Sequence, residues 1–159
     1  MSQSVHIGPL RPAYGGEALT VQLAAYVIEA QRYGKPDLPP LVESLDALRA
    51  DLESGRPAFG AWLGERLVGS VRGRPDGDRM QVSRLAVAPD LQRLGIGGRL
   101  LAALEAGAPP GVRTFWLVTG AQSTGPLALY RRAGYAVTGR DHDAAGVELA
   151  VLTKPAGRR

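Results

Sequence analysis

The chain has no cysteine, which excludes a disulfide framework, a thiol nucleophile and a zinc-thiolate site. Lysine is nearly missing, present only at Lys35 and Lys154, so the net charge of +4 and the pI near 9.8 come from arginine. The arginines are scattered singly, adjacent only at Arg131-Arg132 and Arg158-Arg159, and they form no aromatic-interleaved basic stripe. A basic nucleic-acid surface needs a clustered patch or stripe. Scattered charge serves solubility and an anionic small ligand instead, so no nucleic-acid partner is expected. No apolar run approaches a membrane span, and residues 1–12 lack the apolar centre of a signal peptide. The expectation is a cytoplasmic protein with no membrane partner and no metal, folded as one domain over residues 1–159.

Periodicity supplies a coarse map. Residues around 4–11 alternate weakly, as a first strand would. From Gly16 to Tyr33, apolar residues at Leu19, Leu23, Tyr26, Val27 and Ala30 fall at helical spacing. After the break at 35–40, a second helix shows Leu41, Leu45, Leu48 and Leu52 on one stripe and stops at Gly55. Phe59–Leu63 and Leu67–Val71 read as a hairpin turning at Gly64-Glu65. Another turn falls at Pro75-Asp76-Gly77. In the next strand Met80 and Val82 set one apolar parity, whereas Leu85 and Val87 sit on the other. A period of two changes phase only through an extra residue, which places a β-bulge near Ser83–Arg84; a strand buried on both faces is the alternative.

Leu85 and Val87 end at Pro89 and lead into Gln92-Arg93-Leu94-Gly95-Ile96-Gly97-Gly98, where a helix begins with Ile96, Leu100, Leu101 and Leu104 on one face. Glycines at a helix start leave the first backbone N–H groups bare, and the helix dipole adds partial positive charge there. The spacing fits an anion cradle. It is not a P-loop, for no lysine lies near Gly97, and it lacks the spaced glycines of the dinucleotide fingerprint. The string resembles the GNAT acetyltransferase superfamily, whose signature is Leu-x-Val-x-Pro followed by Gln/Arg-x-x-Gly-x-Gly/Ala; Leu85, Val87, Pro89, Gln92, Gly95 and Gly97 match without a gap. The resemblance implies an α/β (α+β) fold with a mixed, mostly antiparallel seven-stranded sheet flanked by about four helices. It also implies that Gln92, Arg93, Leu94, Gly95, Ile96, Gly97 and Gly98 hold the pyrophosphate of acetyl-coenzyme A. Leu85, Ala86 and Val87 would present backbone groups to the acetyl and pantetheine parts, with the bulge turning an N–H toward the thioester carbonyl.

Further on, Pro109-Pro110 ends the helix and Phe115–Val118 is apolar on both faces, as a central strand is. Thr124-Gly125 caps a short helix with Pro126 in its first turn, Gly134 closes it, and Tyr135–Thr138 and Val147–Leu152 supply the last strands. Within this stretch, Leu127 to Tyr135 resembles the family's second motif, Leu-Tyr-x-x-x-Gly-Phe/Tyr. By that match Tyr130 is the proton donor to the departing thiolate, the alternative being a packing tyrosine. Ser123 stands where many relatives carry an asparagine that bonds the pantetheine arm, so that contact is weaker here. The stretches Gln81–Arg84 and Leu117–Thr119 hold no carboxylate to act as base. A water chain ending at a backbone carbonyl, or an acid from elsewhere, must then serve; Glu29, Glu43, His142 and Asp143 are candidates by position alone, each also readable as an ordinary solvated residue, and His6 reads as a strand residue.

The resemblance thus implies an N-acetyltransferase that moves an acetyl group from acetyl-coenzyme A to an amine by direct attack in a ternary complex. The alternative is a non-catalytic acyl-coenzyme A-binding regulatory module. The acceptor it implies is a small-molecule or peptide amine, with a small amine, an amino acid and a protein amino group all open. The missing carboxylates disfavour polycationic acceptors, and Arg84 suits a carboxylate-bearing one unless it points into solvent. A homodimer stays open.

Overall fold

Two tight turns lay down three adjacent strands of the sheet, and a helical excursion over residues 12–53 separates the first strand from them. The computed structural model describes residues 4–157, and the Arg158-Arg159 pair lies outside them. Strands β1 (Val5–Pro9), β2 (Ala58–Leu63), β3 (Arg66–Asp76) and β4 (Arg79–Val87) are successive antiparallel neighbours. The β2–β3 hairpin turns at Gly64-Glu65 as expected, while the β3–β4 turn falls one residue late, at Gly77-Asp78. β5 (Thr114–Gly120) lies parallel to β4, and β6 (Ala136–His142) and β7 (Glu148–Pro155) complete the order β1-β2-β3-β4-β5-β7-β6. The expected seven-stranded, mostly antiparallel sheet is present.

Helices cover both faces. On one face α4 (Ile96–Ala106) buries Ile96, Leu100, Leu101 and Leu104 against Val68, Val71, Met80 and Val82, and α5 (Thr124–Arg132) adds Tyr130 to the same cluster. On the other, α1 (Gly15–Tyr33) and α3 (Leu45–Glu53) pack Ala18, Val21, Leu48 and Leu52 over Leu67 and Ala86. Burying so many apolar side chains at about 25 cal/mol per Å² supplies the main driving force for closing these layers.

Two elements differ from the periodicity reading. The α1 face toward the core carries Ala18, Val21 and Gln22, whereas Leu23 and Val27 are exposed. Gln22 is inside because it bridges Arg72 and Glu43, so a polar requirement rotates the helix away from its most apolar stripe. The second helix is broken into α2 (Pro39–Val42) and α3, because Glu43 is extended and Ser44 caps α3, accepting from Ala47 N at 3.1 Å. That one-turn α2 raises the helix number to five among the described residues. Loss of the cap through Ser44→Ala should lower stability by about 1 kcal/mol, readable as a shift in the urea midpoint at unchanged slope.

Candidate active site

The parity change in β4 is a bulge. Ser70 faces Ala86 across the β3–β4 ladder but Arg72 faces Ser83, so β4 carries one extra residue, and Arg84 there adopts φ +56°. Met80, Val82, Leu85 and Val87 consequently all face the α4 cluster. A bulge bends its strand and raises the local twist. β4 pairs with β5 only at Arg79–Gln81 against Thr114–Trp116, and beyond this the two strands part.

The gap exposes strand edge. Ala88 N–H donates to Val68 O at 2.8 Å, so by alternation Leu85 and Val87 direct their N–H and C=O groups away from β3, into the gap. Both carbonyls already have partners: Tyr26 Oη donates to Leu85 O at 3.0 Å and Gln92 Nε2 to Val87 O at 3.2 Å. The two N–H groups are the donors left to a ligand. Through that bond the exposed Gln92 ties the cradle to the strand.

At the mouth of the gap the chain turns through Arg93 (φ +66°) and Gly95 (φ +82°) into α4. The first helical bond is Arg99 N–H to Gly95 O, which leaves the N–H groups of Gly95, Ile96, Gly97 and Gly98 outside the ladder. No acidic residue in the first turn competes for them. The glycines differ in purpose. A Cβ at Gly97 would lie 3.0 Å from Leu129 Cδ2, so Gly97 lets α4 and α5 approach, whereas a Cβ at Gly98 meets nothing and that surface is open to a ligand. Leu94 and Arg93 are exposed on the turn and Ile96 is buried beneath it.

Tyr130 is 8% exposed and packs edge-on to Tyr135. Burial first, then the nearby Tyr26 and Glu29, push its phenol well above the ordinary tyrosine value, so it holds its proton. Glu29 and Tyr26 belong to α1, on the opposite face of the sheet, so this influence acts across the β4–β5 gap. The other buried hydroxyls nearby are committed. Burial raises Tyr26 to about 12 and its hydroxyl serves Leu85; Tyr135 donates to Glu105 at 2.9 Å. Among the described residues, no hydrogen bond claims the Tyr130 hydroxyl.

Ser123 is fully buried at the start of α5, where it makes no capping bond. Its hydroxyl donates to Glu29, while Tyr33 Oη donates to Ser123 Oγ (2.8 Å) and accepts from Gln122 N–H (2.9 Å). A pantetheine contact at Ser123 would have to displace these bonds. Gly120 makes the chain possible, since a Cβ there would fall 2.1 Å from Tyr33 Oη. Tyr26 and Tyr33 were invisible as site residues in the sequence; the one available signal was their seven-residue spacing, which places them near one helix face with Glu29 between.

The remaining candidates for a base separate clearly. His142 lies at the exposed end of β6, and Asp143 accepts the N–H groups of Ala145 and Val147 in its own turn. Glu43 binds Arg72 through both oxygens and accepts from Gln22 at 2.9 Å. Burial raises its carboxyl, but the bonds from Arg72 and Gln22 prevail and hold it below the ordinary value. It is ionised and saturated. Because the folded value is depressed, Glu43 contributes stability above pH 4.5 that is lost as pH falls through its folded value. The gap in unfolding free energy between the parent chain and Glu43→Gln should therefore be widest near neutrality and close in acid, measured by denaturant titrations across pH.

A family model described as the acetyltransferase (GNAT) family matches residues 23–135. The uncharacterized N-acetyltransferase YvbK of Bacillus subtilis is 33% identical over 104 residues, covering 63% of this chain and 65% of YvbK, so the match spans just under two-thirds of that relative's length. In solved structures, the ribosomal-protein-S18-alanine N-acetyltransferase of Escherichia coli superposes with a TM-score of 0.78 at 19% identity, over 98% of this chain and 96% of that one. The putative acetyltransferase yncA of Salmonella typhimurium, solved with acetyl-CoA, superposes with a TM-score of 0.79 at 16% identity over the same shares, 98% and 96%. These likenesses share the fold, and the family model covers both the bulged strand and the glycine turn. This chain belongs to the GNAT acetyltransferase family.

Proposed function

We propose that this chain transfers the acetyl group of acetyl-coenzyme A to an amine by direct attack. The observation that carries the reading is the meeting of three features at one gap: the bare N–H groups of α4, the free strand edge at Leu85 and Val87, and the unclaimed hydroxyl of Tyr130. Bound acetyl-coenzyme A would supply a thioester whose carbonyl carbon is open to a neutral amine.

The cradle N–H groups of Gly95 to Gly98, with the α4 dipole, favour a pyrophosphate. Leu85 and Val87 N–H groups suit the amide and carbonyl oxygens of an arm laid along β4, much as an added strand would bond. When the C–N bond forms and the C–S bond breaks, the sulfur leaves as a thiolate and needs a proton. Tyr130 holds one, in a low-dielectric gap where a new negative charge draws it strongly. The amine gives up its proton in turn, and Glu29 is our candidate to take it; its bond from Ser123 and its long ion pair with Arg32 (3.5 Å) leave it less tightly held than Glu43.

The cradle is tested at Gly98, not Gly97, where packing would confound the result. Gly98→Glu should abolish acetyl-coenzyme A binding in calorimetry while the thermal midpoint stays nearly unchanged; unaltered affinity would remove the cradle from the site.

Tyr130→Phe keeps the ring against Tyr135 and deletes only the hydroxyl. Single-turnover acetyl transfer should slow by about a hundredfold or more with acetyl-coenzyme A affinity nearly preserved. An unchanged rate would make Tyr130 a packing residue.

A further inference from the structure

A second cavity of about 440 Å³ lies against the same bulge, between α3 and the β3–β4 ladder, lined by Glu43, Asp51, Arg56, Arg72, Arg74, Ser83 and Arg84 among others. Its charges do not cancel. Arg72 is bound by Glu43 and Asp51, and Asp51 also holds Arg56 at 2.9 Å, so these form a neutral quartet. Arg74 and Arg84 are left as surplus positive charge. Arg84 is the unusual one, because its Nε is buried from water and has no hydrogen-bond partner. The nearest carboxylate oxygen, Glu43 Oε1, is 3.5 Å away and already accepts from Arg72 and Gln22. Arg84 thus keeps a long ion pair with Glu43 but no hydrogen bond at Nε, which is costly for a buried donor, and the φ of +56° adds backbone strain at the same residue. Both costs stand next to Leu85, whose N–H enters the proposed acetyl site.

Building on the acetyl-transfer reading, we propose that this cavity is the acceptor pocket and that Arg84 selects an amine bearing a carboxylate a few bonds from its nitrogen. A guanidinium fork matches a carboxylate in plane and pairs with it through two hydrogen bonds; the Arg84 side chain is 27% exposed, and its terminal nitrogens offer that fork while Nε stays turned to the protein. The closeness of Arg84 to Leu85 sets the short span between carboxylate and reacting amine. The carboxylates that would attract a polyamine, Glu43 and Asp51, are consumed by Arg72 and Arg56. Arg74, exposed and about 10 Å further along the ladder from Arg84, extends positive potential toward the outer end of the cavity.

The test uses the full chain and amino acids, each beside its decarboxylated amine and its aminophosphonate counterpart, with thiol release as the readout. The best amino acid should exceed its decarboxylated twin in kcat/KM by about tenfold or more, the worth of a charge-assisted hydrogen bond. That ratio should collapse toward one in Arg84→Gln and be partly kept in Arg84→Lys. Equal turnover of the twins, an intact ratio in folded Arg84→Gln, or a clear preference for the phosphonate would overturn the carboxylate assignment. Calorimetry of the chain–coenzyme A complex with an N-acetyl amino acid and its methyl ester needs neither turnover nor a variant. Tighter binding of the free acid supports the pocket, and equal binding overturns it. Tighter binding with no amine ever acetylated would sink the transferase reading and leave the anion pocket standing.

Discussion

The separation of β4 from β5 is the constraint on which the site depends. Two parallel strands that begin paired at Arg79–Gln81 and Thr114–Trp116 would ordinarily continue, since every unmade ladder bond leaves backbone groups to be satisfied otherwise. Here the extra residue at Arg84 bends β4 away, and α1 takes over part of the bonding. Tyr26 caps Leu85 O, Gln92 caps Val87 O, and Tyr33 engages the end of β5 through Gln122. The gap is thus held open by side chains that complete the acceptors and leave the N–H donors free. That asymmetry suits a ligand rich in oxygen.

Polar satisfaction elsewhere in the interior makes the exceptions informative. Gln22, Arg72, Glu43 and Asp51 close on one another, Ser123 closes on Glu29 and Tyr33, and Tyr135 and Lys154 close on Glu105. Among the described residues, the buried side-chain polar atom outside this closure is Arg84 Nε, on the bulged strand itself, and the Tyr130 hydroxyl, with a trace of exposure, also makes no hydrogen bond. Buried polar groups without partners are rare because each costs free energy, so their position marks where the fold keeps capacity for something else. The reciprocal network also explains why Glu43 is no base: a carboxylate fastened by Arg72 and Gln22 resists protonation.

Much of the candidate site was legible in the chain. The glycine turn, Leu85 and Val87, and Tyr130 are local strings, and their spacing carries their geometry through a strand end or a helix start. The bulge was legible too, because a parity change between Val82 and Leu85 has few physical causes. Gly97, Ser123 and the acids were less so. Whether Gly97 faces a phosphate or Leu129, and whether Ser123 faces an arm or Glu29, depends on how α5 and α1 sit against β5. No local pattern encodes that.

Secondary-structure type, the turn at Gly64, the α4 face and the bulge are consequences of short-range sterics and period, so the sequence by itself determined them. The α1 face, the break at Glu43-Ser44 and the neutrality of the arginine quartet were decided only in three dimensions. Each rests on a buried charge, Arg72, whose partners come from α1, the α2–α3 junction and α3. Desolvating that guanidinium is tolerable only when all of them converge, and this requirement overrides hydrophobic periodicity in the helices that supply them.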